Sequence, residues 1–67
     1  MPAIKVIRVM GTSTESWEDA AHEAYAQARE SVEGINGMKV KHWTADVDEG
    51  GITEYKTTVE LSFPVHQ

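Results

Sequence analysis

The sequence contains no cysteine, so neither a disulfide nor a thiolate metal centre can hold this fold together. Basic residues are scarce as well: six Lys and Arg stand against eleven Asp and Glu, a formal charge of -5 at pH 7. A chain this acidic repels a nucleic-acid phosphate backbone and an anionic membrane surface, and neither is expected as a partner. Long apolar runs are missing. Met1-Pro2-Ala3-Ile4-Lys5 leads straight into an alternating segment, with no signal-peptide apolar core and no stretch long enough to cross a bilayer. With the absence of cysteine, this points to the cytoplasm.

Motifs of catalysis are also lacking. Gly11-Thr12-Ser13 has neither the glycine spacing nor the lysine of a phosphate-binding loop. His22, His42 and His66 are too widely spaced to specify a zinc site, and none belongs to an HExxH pattern. No residue stands out as a nucleophile, and a 67-residue subunit can gather desolvated acid–base groups only at an interface. The protein is therefore expected not to be an enzyme.

What is present is ordinary globular composition, 40% hydrophobic and 25% charged, in a single domain covering residues 1–67. Ordering such a chain costs about 100 kcal/mol at roughly 1.5 kcal/mol per residue, and one small core exceeds that cost by only a few kcal/mol. Without disulfides, oligomerisation is the expected staple.

Residues 3–10 are rich in β-branched side chains and predict a strand, with Gly11-Thr12-Ser13-Thr14 as the turn that follows. Ile4, Val6 and Met10 share one face with Arg8, and Ile7 and Val9 the other with Lys5, so both faces carry apolar side chains. One helix covers only one face, so another subunit is expected on the second. A helix is predicted over 14–33, with Ser13 or Ser16 as N-cap, Ser16 and Asp19 approximating a capping box, and Gly34 as the residue that ends it. Its apolar stripe is Trp17, Ala20, Ala21, Ala24, Ala28 and Val32. Most of that seam is alanine, which lets the helix axis approach closely, and Trp17 is expected in the core.

Two further strands follow, 38–47 and 52–65, joined by Asp46-Val47-Asp48-Glu49-Gly50-Gly51 as a hairpin connection. The order is β-α-β-β, an α+β fold. In the last strand Tyr55, Thr57, Val59, Leu61 and Phe63 alternate with polar residues and are expected to face the helix. Strict alternation in the second strand places Met38 and Val40 with them and points Gly37, Lys39, Lys41 and Trp43 away.

The pattern resembles the dodecin family. It is carried by Gly11-Thr12-Ser13 leading into Ser16-Trp17-Glu18-Asp19-Ala20-Ala21, by Ala24, Ala28 and Ser31-Val32, by Val40, and by Gly51-Ile52-Thr53-Glu54-Tyr55 through Val59-Glu60-Leu61-Ser62-Phe63. The resemblance covers essentially the whole chain. It implies a three-stranded antiparallel sheet wrapped around one helix and a hollow homododecamer that binds small molecules without turnover. In many members flavins, FMN or riboflavin, are held in stacked pairs at subunit interfaces and stored. The family tryptophan that sandwiches the flavin ring aligns with Gly37, and the glutamine at the flavin's polar edge aligns with Lys56. The sequence thus resembles the branch without that tryptophan, for which calcium binding or no known ligand has been proposed. Lys56 could pair with an anionic group such as a flavin phosphate. Trp43 is an additional ligand or interface candidate, and Asp46, Asp48 and Glu49 before Gly50-Gly51 resemble a hard-cation loop as well as ordinary turn chemistry. Two readings compete: a flavin-storing shell, and a structural or calcium-buffering assembly without flavin.

Overall fold

A computed structural model describes residues 3–65 of the chain. The elements are β1 (Ala3–Ser13), α1 (Trp17–Arg29), β2 (Gly37–Asp48) and β3 (Gly51–Val65), the expected β-α-β-β order. All pairings are antiparallel and the sheet order is β1-β3-β2, so the last strand is the central one. The helix lies across β1 and β3, and β2 is left largely uncovered by it. Val59 and Leu61 on β3 meet Ala21 and Ala24 of α1 in a buried core, with Ile7, Val9, Tyr25, Ala28 and Ile35 packed around it, and Ala20 is buried as well.

β1 runs through Gly11-Thr12-Ser13, the segment expected as a turn, pairing those residues with Thr57, Lys56 and Tyr55. The glycine is needed there because the helix lies directly on it. A Cβ at Gly11 would fall 1.9 Å from the Ala20 carbonyl oxygen and 2.9 Å from the Ala24 Cβ. Ser13 is not the helix cap; its hydroxyl donates to Asp19 Oδ2 at 2.7 Å and accepts from the Glu15 amide at 2.9 Å. Ser16 is the cap, its Oγ accepting from the Asp19 amide at 3.0 Å.

The helix stops at Arg29, short of the expected residue 33. The Ser31 and Val32 amides both fold back to the Ala28 carbonyl, at 3.1 and 3.0 Å, closing the last turn. Gly34 does take a left-handed conformation, φ 78°, but in the connection to β2 rather than against the helix end. The chain must turn early because the Asn36 amide is drawn to the Ser62 carbonyl, 2.9 Å away, where β2 begins.

β2 departs from strict alternation. Val40 lies opposite Val59 and His42 opposite Thr58, so Lys41 is an extra residue, a β-bulge. A single bulge reverses the alternation beyond it. Trp43 therefore pairs with Thr57 and joins Met38 and Val40 on the helix side, instead of pointing away with Gly37 and Lys39. A second shift between Asp46 and Val47 leaves Thr53 unpaired in the register. β1 ends opposite Tyr55, so the hairpin continues beyond it as a two-stranded arm, in a molecule measuring 53 × 19 × 13 Å.

Candidate ligand-binding surfaces

The helix side of β2 carries an aromatic cluster. Trp17 and Trp43 stack with ring centroids 5.9 Å apart and planes at 28°, and Tyr55 meets Trp17 edge-on at 4.7 Å. The Trp17 indole Nε1–H donates to the Thr44 carbonyl at 2.8 Å, and the Thr57 hydroxyl donates to the Trp17 carbonyl at 2.8 Å, fixing the ring and its backbone. With Ala21, His22, Met38 and Val40 these tryptophans line an open groove of about 200 Å³. Trp17 is thus a half-buried wall of this groove rather than core. Strict alternation could not place Trp43 beside it, because the bulge at Lys41 has no motif of its own.

The opposite face of the sheet holds the positions that the family resemblance assigns to a pocket. Gly37 lies opposite Ser62, and Lys56 lies between Thr12 and Thr44. They share that face but are six residues apart in the β3 register, about 20 Å at roughly 3.3 Å per residue, and one chain does not bring them together. Trp17, Trp43 and Tyr55 stand on the other face, and the rings that share an open pocket with Gly37 are those of Tyr25 and His22 from the helix. A Cβ at Gly37 would point at the Ser62 hydroxyl, 2.5 Å away.

Lys56 is already engaged: its Nζ lies 3.1 Å from Asp46 Oδ2. Asp48 acts as turn chemistry, its Oδ1 accepting from the Gly50 amide at 2.8 Å, and Glu49 lies in the turn itself. Among the described residues no group of three or more His, Asp or Glu side chains is gathered closely enough to hold a metal, so Asp46, Asp48 and Glu49 do not converge in one chain. His22 lines the groove and His42 lies opposite Thr58 on the other face, while His66 lies outside the described residues.

A charged row crosses the sheet beside Gly37. Glu60 is flanked by Arg8 on one side and Lys39 on the other, with Arg8 Nη2 3.0 Å from Glu60 Oε2. The Arg8 hydrogen bond holds the Glu60 carboxyl below the usual carboxylate range against some opposing desolvation, and Lys41 and Lys39 add to the attraction.

The Dodecin family model matches residues 3–66. The chain belongs to the dodecin family. It is 43% identical over 63 residues to the calcium dodecin of Mycobacterium tuberculosis, covering 94% of this chain and 89% of that protein. It is 30% identical over 63 residues to the dodecin of Thermus thermophilus, covering 94% and 91%. Among solved structures, a mutant Thermus thermophilus dodecin superimposes with a TM-score of 0.93 at 28% identity, covering 100% of both chains. The Mycobacterium calcium dodecin, described as a calcium-chelating immunodominant antigen with a novel calcium-binding site, superimposes with a TM-score of 0.83 at 41% identity, covering 96% of this chain and 91% of that one. The three-stranded antiparallel sheet on one helix is thus a dodecin fold, and a dodecameric assembly is in line with that family. No helix among the described residues is long and apolar enough to cross a membrane.

Proposed function

We propose that this protein is a non-catalytic binding shell, a hollow homododecamer that holds a small ligand at sites shared between copies. One observation carries the reading: Gly37 and Lys56 stand on the same sheet face about 20 Å apart, so a pocket that uses both needs two copies. The ligand class is flavin, riboflavin or FMN, held without an indole platform. Stacking on an aromatic ring contributes about 1–3 kcal/mol per base in the nucleobase analogy, so affinity falls well below that of members carrying the tryptophan. The acidic net charge of -5 supports the absence of nucleic-acid and membrane partners, and the cysteine-free composition supports a cytoplasmic location.

A second reading, calcium buffering or a purely structural shell, is favoured by the 43% identity to a calcium dodecin. Asp46, Asp48 and Glu49 supply hard oxygen donors on the arm, and a cation at Asp46 has to displace Lys56. Fluorescence titration of riboflavin and FMN with purified protein separates the two. Saturable quenching supports flavin storage. Unquenched flavin, together with a melting temperature that rises with calcium, supports the second reading.

A further inference from the structure

The formal charge of -5 is distributed unevenly along the molecule. Residues 14–34, the helix and its flanks, hold six acids against Arg29 alone. The hairpin arm holds Asp46, Asp48, Glu49 and Glu54 against Lys56, a local charge of -3. The opposite end of the sheet holds Lys5, Arg8, Lys39 and Lys41 against Glu60, a local charge of +3. The two ends are too far apart to neutralise each other within one chain: Lys39 and Asp48 are nine residues apart on β2, about 30 Å at 3.3 Å per residue. Among the described residues, neither Lys39 nor Lys41 forms an ion pair, and neither do Asp48 and Glu49.

Each end also exposes apolar side chains. Val47 and Ile52 on the arm are 68% and 47% exposed, and Ile4 and Val6 at the basic end are 60% and 55% exposed. Large side chains left open at this level on a chain with so small a core need a cover. We propose that the hairpin arm of one copy seats on the basic end of the sheet of a second copy, with Asp48 and Glu49 meeting Lys39 and Lys41 while Val47 and Ile52 cover Ile4 and Val6.

The arm fits this end better than other occupants do. The helix is acidic too, but no large hydrophobic of α1 is among the exposed ones, so it would leave Ile4 and Val6 without apolar partners. A free anion would neutralise the lysines and leave both apolar pairs open. The contact also directs the Lys56 half of one copy toward the Gly37 end of the next, as a shared pocket requires; that consequence rests on the binding-shell reading.

Charge exchange tests the contact, with particle mass followed by native mass spectrometry and sedimentation at matched chain concentrations. The K39E/K41E and D48K/E49K variants are each expected to raise the concentration needed for assembly by about tenfold or more, since like charges then face each other. The combined K39E/K41E/D48K/E49K variant restores opposite charges across the contact and is expected to assemble within about threefold of the parent. E23K/E30K, an equal charge change on the helix, is expected to assemble like the parent. Parental assembly of either double variant overturns the proposal. So does a combined variant that stays as dissociated as the doubles. Loss of inorganic phosphate binding in K39E/K41E without such rescue would reassign the basic end to a free anion. Ligand occupancy does not enter this readout, so a failure of the binding-shell reading leaves the result interpretable.

Discussion

Replacing Gly11 by alanine tests how closely α1 lies on β1. The added Cβ would sit 1.9 Å from the Ala20 carbonyl oxygen and 2.7 Å from the Ala24 amide nitrogen, inside the 3.0 Å limit that real Cβ atoms respect. Both atoms are helix backbone, so no side-chain rotation relieves the overlap. The helix has to retreat by roughly an ångström, which opens the packing of Ala21 and Ala24 on Val59 and Leu61 in a close-packed interior. Overpacking of this kind costs about 1–3 kcal/mol. A 67-residue chain has roughly 3–10 kcal/mol in all at about 0.05–0.15 kcal/mol per residue, so the loss is a large fraction. For a domain of this size each kcal/mol shifts the melting temperature by about 4–8 °C. Thermal unfolding followed by circular dichroism, at fixed chain concentration because assembly contributes to apparent stability, is expected to show a fall of at least about 4 °C. Thr12→Ala, one residue along and on the opposite face, serves as the reference. A Gly11→Ala variant melting within a degree of the parent would refute the close approach.

Other substitutions probe the remaining parts. Ser16→Ala removes the oxygen that caps the Asp19 amide and is expected to cost about 1 kcal/mol in denaturant titration. Trp43→Ala removes the stacked partner of Trp17, and the tryptophan emission of the remaining ring should shift to the red as it becomes wetter; an unchanged spectrum would count against the stack. On the flavin reading, Gly37→Trp, which adds an aromatic platform to the sheet face shared with Lys56 and turns the Ser62 hydroxyl aside, is expected to tighten riboflavin binding by about tenfold or more in fluorescence titration. Glu60 has its pKa depressed in the folded state by Arg8, so its contribution is present above the unfolded-state value and lost as pH falls through the folded-state value. The parent should therefore melt above Glu60→Gln at neutral pH, with the gap closing in acid.

Much of the fold was legible because its signals are local. The alternation in 52–65, the capping pattern of Ser16 with Asp19 and the alanine seam each follow from short-range patterning; β3 and the buried alanines lie where predicted, and α1 lies within its predicted span. Structure departs from sequence pattern where a long-range contact overrides the local one. Gly11 reads as a turn residue, yet it is a strand residue kept bare by the helix above it. The 14–33 periodicity outruns the real helix because the hydrogen bond from Asn36 to Ser62 sets where β2 begins. The bulge at Lys41 changes the face of the residues after it, which turned Trp43 from an oddity into half of an aromatic wall beside Trp17. The Lys56–Asp46 ion pair was hidden for the same reason, since it depends on the register of two strands and not on sequence spacing.

Native mass spectrometry of the purified chain tests the central claim most directly. The account predicts one dominant particle of twelve times the 7.4 kDa chain mass, in which riboflavin or calcium is retained, and no ligand on any residual single chain. A folded monomer at micromolar concentration, or a single chain that keeps its ligand, would contradict it.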